Sequence, residues 1–522
     1  MGSIAADSTV VLLQSIATTA TILLVLAAFI KVVYFLWWNP LRVQRMMVGQ
    51  GVLGPQYQLI FGNTRQASQM NIAALHKPLK LSDDVFQKVQ PHIYTWTKAY
   101  GKNYISWQGP EPTLNISDTE MAKQVMNNKD DHFVKGKPTS FIKMMIGYGL
   151  VMADGENWVK QRNLANHAFH GESLKAMLPA MVDSVYLMLE RWKGIKGNDV
   201  EVFEEFRILS SEVISRTAFG SSYEEGRNIF HMISQLATLT VRNFHTWRIP
   251  GLSLLWRMAD EAEGYRLEKA IRAAILDVVQ KREAQKNSGK MNGYGTDFLG
   301  LLLEANHEDD GSKKITINTL VDECKTFYFA GQETTNTLLG WTMFHLASHP
   351  YWQEEARKEV VDVFGDLDPN FVGVAKLRTM MMILNESLRL YSPITGLTRK
   401  VPKRTRIGDI TVPANFQVTV ANFKIHHDPD VWGEDAHVFK PERFSEGVAK
   451  ATNNNMAAFL PFGLGPRMCV GNNFALMEAK VALAMILQRY RFSLSPGYIH
   501  CPYQHLTIQP LHGIQVILRP IE

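Results

Sequence analysis

The chain has 522 residues, for which the usual domain size of roughly 150 residues predicts about three domains, yet no stretch rich in Pro, Gly or Ser divides it. Its net charge of +5 is small for this length and gives no case for nucleic-acid binding. The three cysteines, Cys324, Cys469 and Cys501, are too few and too scattered for a disulfide framework, so thiol or metal chemistry stays open.

An apolar segment without a charge covers residues 10–30. As a helix it would be about 31 Å long, close to the ~30 Å hydrocarbon thickness of a bilayer. Only Asp7 precedes it, whereas Lys31, Arg42 and Arg45 follow, so the bulk of the chain is predicted to face the cytosol. The alternative is a cleaved signal peptide, but the first residues carry no Lys or Arg and the run exceeds the usual ~7–15 residues.

Helical periodicity dominates the rest of the chain, with apolar residues three and four positions apart. The clearest helical segments are residues 85–100, 156–169, 173–192, 263–285 and 472–490. Strand patterns are shorter, and they lie near residue 105, over 409–420 with a turn at Pro413 and Ala414, and at the C-terminal end, 513–520. We therefore predict a mainly α fold with small β-sheets, an α+β class built on one large core.

The longest predicted helix covers residues 316–348 and is stopped by Pro350. At this length it would extend about 50 Å and cross a large domain. Its middle carries Gly331 followed by Glu333 and Thr334, although Gly inside a helix costs about 1 kcal/mol relative to Ala. This pattern indicates that a flat group presses on the helix there. The alternative is a tolerated glycine in an ordinary core helix.

A loop with the sequence PFGLGPRMCVG, residues 461–471, places Cys469 just before a predicted helix. Free N–H groups and the helix dipole at that position favour a thiolate over a thiol. Gly465 and Gly471 allow the backbone to turn and approach a bulky neighbour, Phe462 can exclude water, and Arg467 can bind an anion. One sulfur ligand without a nearby Cys or His set suits a metal that a macrocycle already holds.

The five positions Phe462, Gly465, Arg467, Cys469 and Gly471 resemble the haem-binding signature of the cytochrome P450 monooxygenases. Three further segments match that family in the expected order: AGQETT at 330–335, NESLR with Glu386 and Arg389, and FKPERF with Arg443. The chain looks most like plant microsomal enzymes of the clan numbered 72, whose members oxidise triterpenes, gibberellins, brassinosteroids, cytokinins and other lipophilic compounds.

This resemblance implies the cytochrome P450 fold, with a single catalytic domain behind a transmembrane helix. The corresponding division of the chain is a short lumenal N-terminus, a membrane anchor, a hinge and a catalytic domain: 1–9, 10–38, 39–62 and 63–522. In the hinge, the usual proline-rich segment is reduced to GVLGPQY, which puts the rigidity of the anchor joint in doubt.

The resemblance also implies haem b, with Cys469 as the axial ligand of its iron. The residues that look like propionate partners are Trp158, Arg162, Arg399 and Arg467. The triad Glu386, Arg389 and Arg443 would form a network that locks the cysteine loop to a helix. Taken alone, each of these residues could instead be a core tryptophan, a surface arginine or a surface ion pair.

For the reaction, the resemblance implies that Gly331 makes room beside the iron, Thr334 holds oxygen and water, and Glu333 relays protons. The alternative for Thr334 is a hydroxyl satisfied by its own helix. A membrane-tethered binding protein, or an isomerase or dehydratase using the same haem, is a rival reading of the whole chain. Glu333 and Thr334 argue against both rivals, since neither would need them.

The implied partners are an NADPH-dependent reductase, cytochrome b5 as a further candidate, O2, the endoplasmic reticulum membrane and a lipophilic substrate, with Lys160 among the basic residues that could meet the reductase. Residues expected to line the substrate pocket are Phe327, Ala330, Ile394 and Leu397. Further contacts are expected from segments 132–152 and 230–256, with Trp247 and Trp256, and from the turn near His505. The sequence does not name the substrate or the carbon that is oxidised.

Overall fold

A computed structural model describes residues 2–128, 132–194, 199–244, 259–311 and 313–521, with side chains from residue 12 onward. Its first half contains the helices α1 (Gly2–Val33), α2 (Asn39–Val48), α3 (Thr64–Leu75), α4 (Val85–Val89), α5 (Pro91–Tyr100), α6 (Thr119–Met126), α7 (Ser140–Ile146), α8 (Gly155–Phe169), α9 (Gly171–Ala176), α10 (Leu178–Lys193), α11 (Val202–Phe219) and α12 (Tyr223–Asn243).

The second half contains α13 (Ala259–Asn287), α14 (Phe298–His307), α15 (Ile317–Ser348), α16 (Pro350–Phe364), α17 (Phe371–Lys376), α18 (Arg378–Leu390), α19 (Asn422–His426), α20 (Pro429–Trp432), α21 (Val448–Ala451) and α22 (Asn472–Arg489). Helices therefore form most of the described chain, as the periodicity predicted. Short 3-10 turns cover Pro441–Phe444, Met456–Ala458 and Gly465–Arg467.

Eleven short strands are β1 (Asn103–Gln108), β2 (Glu111–Ile116), β3 (Asp199–Glu201), β4 (Leu397–Lys400), β5 (Thr405–Ile407), β6 (Ile410–Val412), β7 (Gln417–Val420), β8 (Tyr490–Leu494), β9 (Pro502–Gln504), β10 (Ile508–Pro510) and β11 (Gln515–Pro520). Their sheets have the orders β1-β2-β7-β4, β3-β11-β8, β5-β6 and β9-β10. The only parallel pair among the described strands is β2 with β7. The prediction of small β-sheets beside a helical core is confirmed.

The predicted strand pair in 409–420 is not a hairpin. Its first half, β6, pairs with β5, whereas its second half, β7, pairs with β2 and β4 in a different sheet. Asn415 between them has a positive φ of 68°, which favours Asn over most other residues. The backbone thus leaves one sheet and enters another, a choice that alternation of apolar residues does not encode.

Two predicted helices are each divided in the structure. Residues 85–100 form α4 and α5, because Pro91 lacks the N–H that a continuous helix needs. Residues 173–192 form α9 and α10, with the break at Met177 before a proline. The other predicted helices lie within two to four residues of their expected ends.

The helix that begins with the apolar N-terminal segment is longer than that segment. It continues from α1 through a π-helical turn, Tyr34–Trp38, into α2. Side chains of residues 12–32 are exposed, and the helix is long and apolar enough to cross a membrane. Val43 and Met47 of α2 are buried in the same cluster as β-sheet residues such as Ile105.

The segment 39–62, expected to be a hinge, is held at several points. Tyr57 donates from Oη to the Leu36 carbonyl at 2.5 Å and from its backbone N–H to Gln44 Oε1 at 3.1 Å. Gln50 Oε1 accepts from the Thr411 N–H at 2.8 Å. Both the helix and the segment after it therefore contact the domain.

Helix α15 crosses the centre of the domain, and nearly all of its side chains after Leu320 are buried. It packs along α11, and a Cβ added at Gly331 would lie 2.6 Å from Ile214 Cγ1 on that helix. Trp341 Nε1 donates to the Ile508 carbonyl of β10 at 2.8 Å. The helix therefore connects the helical core to the C-terminal hairpin.

Candidate haem-thiolate site

The loop before α22 forms a closed turn that presents Cys469. The Cys469 N–H donates to the Phe462 carbonyl at 2.9 Å, and the Met468 N–H donates to the Gly465 carbonyl at 3.0 Å. Gly471 then caps α22, whose first residue is Asn472. The sulfur is thus placed beside the N-terminal end of a long helix, as the sequence predicted.

Two glycines of this loop have different physical roles. Gly465 has φ of 75°, and a Cβ there would lie 2.4 Å from the Met126 carbonyl at the end of α6. Gly471 has an ordinary φ of −92°, and a Cβ there would meet only Cys469 Sγ at 4.0 Å. The backbone of α6 is therefore one neighbour that requires a glycine at 465.

Replacing Gly465 by alanine should destabilise the protein by about 1–3 kcal/mol, because a positive φ and a backbone clash are combined at one residue. Gly497 is a suitable control, since it is exposed and an added Cβ would meet nothing closer than 3.7 Å. Thermal unfolding of the two variants measures the difference. Equal midpoints for Gly465→Ala and Gly497→Ala would contradict this account of the loop.

The sulfur of Cys469 lies inside the fold and yet has accessible surface. Burial raises the pKa of this thiol, whereas the Gly471 N–H and the nearby Arg162 guanidinium lower it. The predicted thiolate-favouring groups are present, and burial opposes them. A metal cation deprotonates a coordinating thiol outright, and an accessible interior sulfur suits such a ligand role.

Four basic side chains lie in this region, those of Lys135, Arg162, Arg399 and Arg467, and the Asp154 carboxylate lies among them. Arg467 forms an ion pair with Asp154 and donates from Nη1 to the Ala153 carbonyl at 2.8 Å. Arg399 is 4% exposed, and its Nη1 donates to the Thr398 carbonyl at 3.0 Å. Burial and the charge of Arg467 lower the pKa of Arg399 to about 10. Cations in this setting attract buried anions, such as the two propionates of haem.

Lys135 belongs to the same cluster and was not predicted from the sequence. Its backbone N–H donates to Asp154 Oδ2 at 3.2 Å. Burial, and then the charges of Arg399 and Arg467, lower the pKa of Lys135 to about 7, while Asp154 opposes the shift. Its side chain is half-buried, so it can still reach an anion placed between these cations. Nothing in the local pattern around residue 135 marks it.

Trp158 and Arg162 lie one turn apart on α8 and face the cysteine loop. Arg162 Nη1 donates to the Met468 carbonyl, and its Nε donates to Asn166 Oδ1 at 3.1 Å. The Arg467 guanidinium lies 4.7 Å from the ring centroid of Trp158. The structure thus brings Trp158, Arg162, Arg399, Arg467 and Cys469 into one region, and their donor types fit a dianionic macrocycle with one sulfur ligand.

The predicted triad forms a buried network. Arg389 binds Glu386 through two hydrogen bonds of 2.8 and 2.7 Å, and both side chains are fully buried. Arg443 Nε lies 3.5 Å from Glu386 Oε1, and Arg443 also binds Asp435 at 2.6 Å. The carboxylate of Glu386 thus receives two guanidinium groups and needs no further cation.

His426 joins this network to the cysteine loop, a link that the sequence did not reveal. Its carbonyl accepts from Arg389 Nη1 at 2.7 Å, and its Nε2 accepts from the Leu460 N–H at 2.8 Å. Burial holds the pKa of His426 well below its usual value, so the ring is neutral and can accept. The connection from α18 to Leu460, directly before the loop, therefore passes through His426. Arg443 binds Glu386, Trp432 and Asp435.

A short stretch of α15 is accessible although the helix on both sides is buried. Ala330, Gly331, Glu333 and Thr334 are partly exposed, which indicates that they face an interior cavity. Thr334 Oγ1 donates to the Ala330 carbonyl at 2.7 Å, so its hydrogen is satisfied by its own helix. A side chain at position 331 would collide with Ile214 of α11.

The expected pocket residues divide into two groups. Phe327 is 6% exposed and packs on Phe169 and Phe298, with centroids 5.2 and 4.2 Å apart. Phe329, in the same helix, is partly exposed. Ile394 and Leu397 are also partly exposed. Trp247 and Trp256 lie outside the described residues.

An anchored helical domain with one accessible sulfur beside a cation cluster defines a haem-thiolate protein. The chain belongs to the Cytochrome P450 family, whose family model matches residues 79–516. Members of this family bind haem b and act as monooxygenases. The resemblance to the family that the motifs indicated is therefore confirmed.

Similar proteins are found in plants. Cytochrome P450 CYP749A22 of Panax ginseng is 49% identical over 517 residues, covering 99% of this chain and 98% of the relative. The 11-oxo-beta-amyrin 30-oxidase of Glycyrrhiza uralensis is 42% identical, covering 93% and 94%, and the 7-deoxyloganic acid hydroxylase of Catharanthus roseus is 38% identical, covering 94% and 96%. Others carry 72A names, in agreement with the resemblance to clan 72.

Proposed function

We propose that this monooxygenase inserts one oxygen atom of O2 into a lipophilic terpenoid-type plant metabolite, with electrons from an NADPH-dependent reductase. The observation that carries the proposal is the accessible interior sulfur of Cys469 beside Arg162 and the cluster of Lys135, Arg399 and Arg467. The names of the relatives from Glycyrrhiza and Catharanthus support a terpenoid substrate.

In this proposal Cys469 provides the axial sulfur, and Trp158, Arg162, Arg399 and Arg467 hold the propionates of haem b. When bound, haem with a thiolate ligand supplies the activation of dioxygen. Phe462, half-buried against the main core, limits the access of water to the sulfur. The chain thus contributes a soft ligand, counter-charges and a dry surrounding, each from a different element of the fold.

Proton supply falls to Thr334 and Glu333 on the accessible stretch of α15. The Thr334 hydroxyl donates to Ala330, but its oxygen lone pairs remain able to accept a proton donor from the cavity. Glu333 provides a carboxylate one residue away, half-buried at the same stretch. A hydroxyl and a carboxylate at this place can pass protons inward without admitting bulk water.

Replacing Thr334 by alanine should leave the haem spectrum intact and divert electrons from product to peroxide. A positioned proton donor contributes about 10²–10⁴-fold, so product per NADPH should fall by at least about tenfold. Thr334→Ser is the matched control, because it keeps the hydroxyl. NADPH, peroxide and product are measured together; full coupling in Thr334→Ala would remove this hydroxyl from the mechanism.

Haem affinity should depend on pH through Lys135, whose pKa is about 7. An adjacent propionate would raise that pKa, so haem binding above pH ~7 takes up a proton and the affinity falls by up to about tenfold per pH unit. Below pH ~7 the lysine is already charged and the affinity is constant. Lys135→Met should remove this dependence of haem affinity on pH, and Lys137→Met, at an exposed position, should keep it. Haem transfer to apomyoglobin measures both, and an unchanged slope in Lys135→Met would contradict the assignment.

The catalytic proposal is tested on microsomes that contain the protein and a plant NADPH-cytochrome P450 reductase. A reduced carbon-monoxide difference spectrum and NADPH consumption separate a monooxygenase from a binding protein without turnover. Oxygen and NADPH dependence of product formation separate it from an isomerase or dehydratase. The probes are 11-oxo-beta-amyrin and 7-deoxyloganic acid, with products identified by mass spectrometry within a wider panel of terpenoids and hormone precursors. Product formed without O2 would overturn the proposal.

We place the protein in the endoplasmic reticulum membrane as a single-pass protein with its catalytic domain in the cytosol. The basic residues after the apolar helix and the exposed side chains of α1 support this orientation. Protease treatment of sealed microsomes should digest the domain; its protection would reverse the orientation. Reductase and cytochrome b5 would then approach from the cytosol. Lys160, which could meet the reductase, donates from Nζ to the Gly311 carbonyl at 3.1 Å.

A further inference from the structure

The C-terminal hairpin of β9 and β10 lies against the middle of α15. The strands pair antiparallel, with Tyr503 opposite Gln509. Besides the bond from Trp341 to Ile508, the hairpin is joined to α15 through Thr507, which is fully buried and lies 3.1 Å from Thr337 Oγ1. A segment from the far end of the chain thus becomes part of the wall around Glu333.

One oxygen of Glu333 receives two hydrogen bonds from this hairpin. Thr507 Oγ1 donates to Glu333 Oε1 at 2.7 Å, and Gln509 Nε2 donates to the same oxygen at 2.6 Å. The Tyr503 hydroxyl donates to Gln509 Oε1 at 3.3 Å, which fixes the orientation of the Gln509 amide. Among the described residues, no hydrogen bond reaches Glu333 Oε2.

This asymmetry has a chemical consequence. The two donated hydrogen bonds occupy Oε1 as an acceptor. Oε2 is then the atom that can take up a proton and release it. The carboxyl plane is also fixed, because two bonds from separate side chains prevent rotation of the group.

We propose that Thr507 and Gln509 are positioning residues for proton delivery by Glu333. By occupying Oε1, they direct Oε2 to the accessible stretch of α15, so that the proton leaves from one atom in one direction. The inference rests on the proposed monooxygenase function and deepens it, since it assigns to the C-terminal hairpin a part in the proton supply.

The test uses variants that change one donor with little change of shape. Thr507→Val removes the hydroxyl and keeps the volume, Thr507→Ser keeps the hydroxyl, and Gln509→Leu removes the amide. Each is prepared as the full-length holoprotein with a plant NADPH-cytochrome P450 reductase. Oxygen and NADPH consumption are followed without substrate, because O2 with two electrons and two protons gives peroxide, whereas O2 with four electrons and four protons gives two waters.

Thr507→Val and Gln509→Leu should raise the ratio of peroxide to water on the order of tenfold, a part of the ~10²–10⁴ that a positioned acid contributes. Thr507→Ser should restore the ratio of the unmodified protein. In a Glu333→Gln background, Thr507→Val should add no further change, because the carboxylate that it positions is already gone. If Thr507 had only a structural role, the effects of Thr507→Val and Glu333→Gln on the ratio of peroxide to water would add. Thr507→Ser would then fail to restore that ratio.

A second measurement does not depend on turnover. Loss of the bonds to Glu333 should speed deuterium exchange of residues 502–510, read by mass spectrometry, in Thr507→Val and in Glu333→Leu alike. If deuterium exchange in both variants equals that of the unmodified protein, the inference that Glu333 and the hairpin hold each other in place is wrong. If the unmodified protein forms no carbon-monoxide band and consumes no NADPH, the proposed function fails instead; an active protein whose Thr507→Val variant keeps the normal ratio overturns the positioning role alone.

Discussion

The Cys469→Ser variant should show no carbon-monoxide band at the position characteristic of a haem-thiolate protein, and no NADPH-dependent oxidation. Cys469 is the one accessible cysteine among the three. A serine hydroxyl in the same place is a far weaker ligand, and it is not deprotonated by the local groups that only partly offset burial at the sulfur. The expected loss of the band is therefore complete.

Cys501→Ser is the control for this result. Its sulfur is buried and donates to the Leu75 carbonyl at 3.2 Å, a bond that a serine hydroxyl can replace. The band should therefore survive in Cys501→Ser at the intensity of the unmodified protein. A spectrum with the thiolate band in Cys469→Ser, measured on reduced microsomes, would refute the ligand assignment and the function built on it.

Removing one partner of the buried pair between Glu386 and Arg389 should have the largest effect on stability. Both side chains are 0% exposed, so Glu386→Gln leaves the Arg389 charge without its carboxylate. Breaking such a pair costs about 3–5 kcal/mol. A loss of this size is comparable with the ~5–15 kcal/mol that keeps a typical protein folded, so most of the variant should fail to retain haem.

The exposed pair of Arg406 and Asp409 provides the control. Its side chains are 71% and 99% exposed, and such pairs contribute about 0–1 kcal/mol. Arg406→Ala should therefore unfold at nearly the same temperature as the unmodified protein, and Glu386→Gln well below it. Haem content and thermal unfolding of the two are compared directly. Similar midpoints of thermal unfolding would show that the triad contributes little to the stability of the fold, contrary to what the burial of Glu386 implies.

Local patterns were sufficient for the residues that act close to their own element. The cysteine loop, the pair of Trp158 and Arg162, and the pair of Glu386 and Arg389 each lie within one loop or one helix, so their spacing shows in the sequence. The physical reasons were less accessible. The close contacts of Gly331 with Ile214 and of Gly465 with the Met126 carbonyl do not show in the local sequence.

Residues that act through distant contacts could not be predicted. His426 connects Arg389 to Leu460, and Lys135 joins Arg399 and Arg467, although none of these are neighbours along the chain. The strand ends in 409–420 show the same limit, because pairing with β2 and β5 depends on segments elsewhere. Periodicity predicts that a segment is a strand, but it does not select its partner.

The continuous helix from α1 through Tyr34–Trp38 into α2 has a mechanical consequence. Met47 is fully buried in the domain, and the Tyr57 hydroxyl donates a hydrogen bond to the Leu36 carbonyl. The membrane helix and the globular part therefore move together as one rigid unit. A change of bilayer thickness that tilts the helix would then lift or lower the whole globule against the lipid headgroups. Lipid composition would thereby determine how deeply the globular part sits in the membrane.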